Sequence, residues 1–182
     1  MKLMIASDIH GDSKCCELML ERFREEKADK LLLLGDLLYH GPRNNLPVNY
    51  NPKKVIELLN NYADVIYAVR GNCDGEVDQM VLDFPIMADY MPFLIDDTYF
   101  IATHGHVYNA EKPIGKTKCI YLCGHTHIPA SEEINGNIYL NPGSVSLPKN
   151  DTRHSYMIYE NNKFIWKDLN SSEEYMKYER GN

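Results

Sequence analysis

The sequence predicts an α/β fold. Three observations carry that prediction: strand and helix patterns alternate through the first half, short strands joined by tight turns replace them after about residue 84, and polar residues of ligand type stand where successive apolar runs end.

Residues 2–6 (KLMIA) read as a buried strand, and residues 13–27 place Cys16, Met19, Leu20 and Phe23 at helical spacing. The run at 31–34 (LLLL) is a second strand. Asn51 before Pro52 is an N-cap and first-turn pair that opens a second helix over NPKKVIELLNNY, and DVIYAVRGN supplies a third strand. This order predicts a parallel sheet with right-handed helical crossovers. The second half reads as short strands: FPIMADYM, FLIDDTYFIATHGH, KCIYLCGHTH, EEINGNIYLNPGS and SYMIYENNKFIWKDL. Asn135-Gly136 between EEI and NIYL signals a type I′ hairpin. The polar end, SSEEYMKYERGN, reads as a short terminal helix. Without repeats, low-complexity tracts or a linker, residues 1–182 are expected to form one domain with a mixed or antiparallel second half.

The chain has 182 residues, 44% of them hydrophobic, enough for one sizeable core. MKLMIASDIHGD offers only a short apolar run, which fits neither a signal-peptide core nor a cleavage site, and no stretch approaches the ~20 residues of a membrane span. A protein with no membrane association, in the cytoplasm, is expected. Five cysteines without disulfide spacing agree with a reducing compartment. Cys15, Cys16, Cys119 and Cys123 read as ordinary buried thiols. A net charge of −7 argues against extended nucleic-acid binding, which needs a basic face. A small phosphate ligand remains compatible, provided positive charge is supplied locally.

The ligand-type residues are Asp8 and His10 in SDIHGD, Asp36 in LGDLL, Asn72 in RGNCD, His104 in THGH, and His125 and His127 in GHTH. Taken singly, each has a structural explanation: Asp-x-His caps a helix, Gly-Asp and Gly-Asn turn the chain, and a histidine pair can sit satisfied in a core. Together they form a row along the carboxyl ends of the strands, where open α/β sheets bind ligands. If GHTH is extended, His125 and His127 point the same way, at one spot beyond the strand end. Seven donors exceed one tetrahedral ion, so two divalent ions are expected, with Asp36 as the shared carboxylate because its strand has other motifs on both sides. Two such ions outweigh the two aspartates and leave local positive charge for a phosphate and a bridging hydroxide, bound water being acidified from 15.7 to about 7. Imidazole mixed with oxygen donors suits manganese first, with iron, zinc, nickel or cobalt as alternatives.

In that order, SDIHGD, GDLL, GNCD, THGH, GHTH and NPGS resemble the calcineurin-like metallophosphoesterases, and HGPRN, VRGNCDGEVDQM, FPI and LNPGSVSLPK are similar to the small bacterial YfcE-type phosphodiesterases. The resemblance runs from Lys2 to about Trp166. It implies a four-layer α/β/β/α sandwich and a phosphodiesterase acting on a small phosphodiester substrate. It also implies metal roles: Asp8, His10 and His127 on one ion, Asn72, His104 and His125 on the other, and Asp36 between them.

The chain departs from the broad superfamily at Cys73, where many members carry a histidine held to protonate or position the leaving group. A neutral thiol is the weaker acid, which favours diesters whose leaving oxygen needs little protonation, and makes Cys73 the candidate catalytic residue; as a plain space-filler it would have no such role. Asp74 reads as a carboxylate that orients its neighbours or as a turn residue. Arg43 is a candidate phosphate contact, with a solvated loop arginine as its alternative, and His106 faces either the substrate or the ligands behind it. Residues 39–51, with two prolines and four asparagines, form a long connection suited to a pocket wall. Residues 141–144 are expected to make a supporting turn. Tyr90, Phe93 and Tyr99 are the aromatic candidates for a homo-oligomer interface, in a dimer or tetramer, or else belong to the core. The alternatives to a phosphodiesterase are a phosphomonoesterase of the same fold, a DNA-repair nuclease, which would need a basic groove, and a non-catalytic scaffold of the retromer-subunit type, which would tolerate lost ligands.

Overall fold

Two sheets pack face to face in the computed structural model, which describes residues 1–95, 97–116 and 118–179. The first sheet is built on the predicted alternation: β1 (Leu3–Ala6), α1 (Ser13–Glu25), β2 (Lys30–Leu33), α2 (Pro52–Asn60) and β3 (Ile66–Ala68), with the three strands parallel. After the four-residue helix α3 (Glu76–Gln79) come β4 (Tyr90–Ile95), β5 (Thr98–Thr103), β6 (Ile120–Leu122), β7 (Ala130–Ile134) and β8 (Asn137–Asn141), which make a five-stranded sheet in the order β4-β5-β6-β8-β7. The chain then returns to the first sheet through β9 (Ser155–Glu160), β10 (Lys163–Asp168) and β11 (Glu174–Glu179), giving the order β11-β10-β9-β1-β2-β3. Because β9 pairs antiparallel with β1, the segment from Ser155 onward completes the sheet that the first residues begin.

The period-two pattern of the strands sorts side chains between layers. In β1, Met4 and Ala6 face α1 and α2, meeting Cys16, Met19, Leu20, Phe23, Val55 and Leu59, while Leu3 and Ile5 face the second sheet. Between the sheets they pack with Leu32, Phe100, Leu122, Leu140 and Trp166, and the Trp166 indole N–H crosses the layer to donate to the Asn141 carbonyl at 2.6 Å. The outer face of the five-stranded sheet carries Ile101, Tyr121 and Cys123, covered by Ala110 and Ile114 from the irregular segment after β5. The face-to-face sandwich implied by the resemblance therefore forms, with α1 and α2 over the first sheet and the irregular segment over the outer face of the second. No helix of the described residues is long and apolar enough to cross a membrane.

The caps and turns act as their residues predict. Asp12 accepts from the Cys15 amide at the start of α1, Asn51 accepts from Lys54 at the start of α2, and Asn135 and Gly136 both take positive φ in the β7–β8 hairpin. Three expectations are corrected. The C-terminal segment is not a helix: its described part is the edge strand β11, because Tyr175, Met176 and Tyr178 are drawn onto the inter-sheet core and pair with β10, while residues 180–182 of that segment lie outside the described residues. FPIMADYM does not form a strand over its length. Phe84 and Ile86 are buried as an irregular segment against α1 and α2, with Pro85 unable to donate to a ladder, and β4 starts only at Tyr90. Cys15 is half-buried, since it lies beside rather than on the inward stripe marked by Cys16. Of the three aromatic interface candidates only Tyr90 is exposed; Phe93 stacks on Phe100 and Tyr99 packs on the outer cluster.

Candidate metal centre

Each predicted donor follows directly on a strand or its immediate loop, and five of the seven hold left-handed backbone: Asp8 (φ 59), His10 (φ 49), Asp36 (φ 56), His125 (φ 69) and His127 (φ 63). Non-glycine residues rarely adopt this region, and strain of this kind gathers at functional sites because the surrounding fold must impose it. Here a web of backbone bonds does so. The amide of Asp8 donates to the Gly35 carbonyl, that of His10 to the Asp36 carbonyl, and that of Gly124 to the His104 carbonyl, tying the ends of β1, β2, β5 and β6 together.

The positive φ values also correct the expectation that GHTH is extended. Left-handed residues at 125 and 127 break the strand alternation, so the two imidazoles go to neighbouring clusters rather than to one spot. His127 Nε2 lies 3.2 Å from His10 Nε2 and 3.3 Å from Asp8 Oδ1. His125 Nδ1 lies 3.3 Å from His104 Nε2, which is 3.1 Å from Asn72 Oδ1. Asp36 Oδ2 stands between the clusters, 3.6 Å from His10 Nε2 and 3.5 Å from His104 Nε2. All seven predicted donors thus come together.

The hydrogen bonds fix the imidazole tautomers. The Nδ1–H groups of His10, His104 and His127 donate to the carbonyls of Tyr39 (2.8 Å), Leu34 (2.6 Å) and Leu147 (2.6 Å). Each Nε2 is thereby the ring nitrogen that faces its cluster, its lone pair free for a cation once any proton there has left, the arrangement that orients a histidine as a ligand. Asp8 Oδ1 is buried and accepts no hydrogen bond, an orphan that an interior ordinarily does not tolerate. Converging lone pairs and an orphaned carboxylate oxygen fit divalent cations: the ligand atoms of Asp8, His10 and His127 lie within 4.8 Å of one another, as do those of Asp8, Asp36 and His104 and those of His10, Asp36 and Cys73.

The same crowding shifts the protonation equilibria. Burial pulls the His104 imidazole toward its neutral form, but Asp36 and then Asp8 outweigh this and raise it to about 9. For Asp8, burial favours the neutral acid, yet the adjacent His10 and His127 hold it well below the usual carboxylate range. Burial and the charge of His104 push His125 down to about 4.

Asp74 is a positioning carboxylate. Its two oxygens accept from the amides of Asp36 (2.8 Å), Leu37 (2.8 Å) and Gly71 (2.7 Å), locking the Asp36 turn to the loop that carries Asn72. A Cβ on Gly71 would stand 2.1 Å from Asp36 Oδ1, so only glycine admits this approach. The supporting turn after β8 behaves as expected: the hydroxyls of Ser144 and Ser146 donate to the Asp8 carbonyl, and the Asn141 amide donates to the Gly124 carbonyl. Cys73 donates its backbone N–H to Asp36 Oδ1 at 2.8 Å, and its thiol lies near His10 and Asp36; burial and then Asp36 push that thiol up, so it stays neutral.

The centre opens into a cavity of about 1250 Å³ that takes in Asp36, Asn72, Cys73, His125 and His127 and is walled by the 39–51 connection through Tyr39, Arg43 and Tyr50. Arg43 is exposed at this wall. His106 is not among the lining residues; its ring packs at 5.3 Å from His104 and 6.1 Å from His125, and its Nδ1 is buried without a partner. Lys53, from the first turn of α2, and Lys149, beyond β8, also line the cavity and were not anticipated. Neither stands in a motif, so only the folded arrangement could mark them.

Residues 1–163 match the profile of the calcineurin-like phosphoesterase superfamily domain. Phosphodiesterase YfcE of Escherichia coli K12 is 47% identical over 162 residues, covering 88% of each chain. The solved structure of YfcE, described as a phosphoesterase from E. coli, superposes with a TM-score of 0.94 at 43% identity over 98% of each chain. A Vps29 mutant from Entamoeba histolytica shares the fold, with a TM-score of 0.66 at 19% identity over the whole of both chains.

Proposed function

Because the chain belongs to the calcineurin-like phosphoesterase superfamily, we propose that it is a metal-dependent phosphodiesterase whose centre holds two divalent cations. The observation that carries this reading is the position of Asp36, whose carboxylate lies within 3.6 Å of one histidine from each cluster. In this assignment Asp8, His10 and His127 hold one cation, Asn72, His104 and His125 hold the other, and Asp36 serves both. Bound there, the cations supply the charge that acidifies the attacking water and offsets the phosphoryl transition state, with manganese the first choice for this donor set.

The chain's own residues then do three things. The Nδ1–H bonds to carbonyls keep the Nε2 lone pairs of His10, His104 and His127 aimed inward. Asp74 holds the Asp36 and Asn72 loops in register. Arg43 lines the cavity wall as a contact for an anionic group of the substrate, and Cys73, a neutral thiol, gives the leaving group little proton assistance, which favours diesters over monoesters. The 47% identity to YfcE, a phosphodiesterase, supports the same reading. A purely scaffolding chain has no use for seven converging donors, five of them held on left-handed backbone, and so the hydrolase is preferred to the scaffold. We also read residues 1–182 as one domain, a reading supported by the pairing of β9 with β1.

The test is to reconstitute metal-free protein with Mn²⁺ and assay bis(p-nitrophenyl) phosphate alongside metal analysis. Two ions per chain and manganese-dependent turnover are expected. Fewer than two ions with no hydrolysis of any ester would sink the proposal.

A further inference from the structure

The cavity is far larger than a phosphate needs: its 1250 Å³ exceeds the ~300–1,000 Å³ that ordinarily encloses a drug-sized ligand. Its charged groups are unevenly partnered as well. Three cations, Arg43, Lys53 and Lys149, reach it from three separate elements, the connection after β2, the first turn of α2 and the segment after β8. None has a carboxylate partner among the described residues, whereas Lys54, the neighbour of Lys53, is paired with Glu57 and Arg70 is paired with Asp89. The three carboxylates of the same lining are turned toward backbone amides and not toward these cations: Asp74 accepts from three amides, Asp78 from the Gly75 amide, and Asp36 from the Cys73 amide. An acidic protein of net charge −7 therefore presents to this cavity three cations that no carboxylate pairs among the described residues, beside an apolar and aromatic wall of Tyr39, Tyr50, Ile56 and Val77.

Resting on the phosphodiesterase reading above, we propose that the substrate is a phosphodiester that carries a second anionic group as well as the scissile phosphate, joined to it by an apolar or aromatic body. The scissile phosphate lies at the histidine clusters, the body lies along the tyrosine wall, and the second anion is held by Arg43, Lys53 and Lys149. Guanidinium and ammonium groups suit a terminal phosphate, whose oxygens accept charge-assisted hydrogen bonds. Simple aryl diesters occupy only part of this cavity and so are turned over without that contact.

The experiment compares two dinucleotide probes, ApA and its 5′-phosphorylated form pApA, on the manganese-loaded full chain. The ratio of kcat/KM for pApA to that for ApA is expected to be about ten or more, which is the discrimination one charge-assisted contact supports. Raising the salt concentration should narrow it. Lys53→Glu, Lys149→Ala and Arg43→Ala, each checked for unchanged circular dichroism and manganese content, should bring the ratio down toward one. A wild-type ratio near one, or a ratio that all three substitutions leave unchanged, overturns the proposal. If the wild type hydrolyses no diester at all, including bis(p-nitrophenyl) phosphate, that result counts against the enzyme reading. Equilibrium dialysis of the same two probes then decides the cation subsite by itself: tighter binding of pApA that is lost in Lys53→Glu supports it, and equal affinities overturn it.

Discussion

His10 and His127, separated by 117 residues in the chain, meet with their Nε2 atoms 3.2 Å apart. Since the Nδ1–H of each ring is committed to a carbonyl, two lone pairs face one another across that gap, and only a proton or a metal cation can relieve their repulsion. A second proton-loaded site is His104, whose two ring nitrogens face the Leu34 carbonyl and Asn72 Oδ1, both acceptors.

Metal uptake should therefore release protons and strengthen with pH. In the metal-free chain the His104 imidazole is raised to about 9, after burial that opposes the shift is outweighed by Asp36 and Asp8. A cation needs that Nε2 unprotonated, so protons compete at every pH below about 9, and apparent affinity climbs toward that value before levelling off. Titrating Mn²⁺ into apoprotein between pH 6 and 9 checks the sign; affinity that is flat across this range would remove His104 from the ligand set.

Asp36→Asn keeps the shape of the central carboxylate and removes its charge. Hydrolysis of bis(p-nitrophenyl) phosphate should fall by about a thousandfold, on the scale of losing a preorganised electrostatic group, and manganese content should drop below two per chain. Wild-type metal content with wild-type turnover would show that Asp36 bridges nothing.

Asp74→Asn turns one acceptor oxygen into a donor that confronts backbone N–H groups of Asp36 and Gly71 or of Leu37. The unsatisfied buried groups should cost about 2–3 kcal/mol. For a domain of this size that corresponds to a Tm lower by about 5–10 °C, read by calorimetry, with activity reduced because Asp36 and Asn72 lose their common anchor.

Cys73→His restores an imidazole acid next to the centre. The ratio of monoester to diester turnover, measured with p-nitrophenyl phosphate and its bis ester, should rise by about ten-fold or more. The side chain must be accommodated beside Gly41, where a Cβ would already stand 2.9 Å from the thiol, so manganese content is measured in parallel. An unchanged ratio in a metal-loaded variant takes Cys73 out of the mechanism.

Much of this site was legible in the linear chain. The donors occur in short strings, SDIHGD, LGDLL, RGNCD, THGH and GHTH, and strand ends place such strings along one edge of a sheet whatever the details of packing. Asn51-Pro52 and Asn135-Gly136 were equally readable, since a cap and a type I′ turn depend only on adjacent residues. The terminal segment was not: Tyr175, Met176 and Tyr178 fit a helix or a strand by themselves, and the open edge of β10 decides between them.

Local chemistry therefore determined from sequence alone the α/β class, the parallel β1–β2–β3 unit and the identity of the seven donors, because caps, turns and alternation act over a few residues. Spacing alone left open how those donors divide, which only the resemblance implied, and the tertiary structure supplies the physical cause. The left-handed turns at His125 and His127 send one ring toward His104 and the other toward His10, and the bonds that impose those turns come from strands far apart in the chain. The cavity and its lysines belong to the same category: Lys53 and Lys149 acquire meaning only when a helix start and a loop nearly a hundred residues later close on the same space.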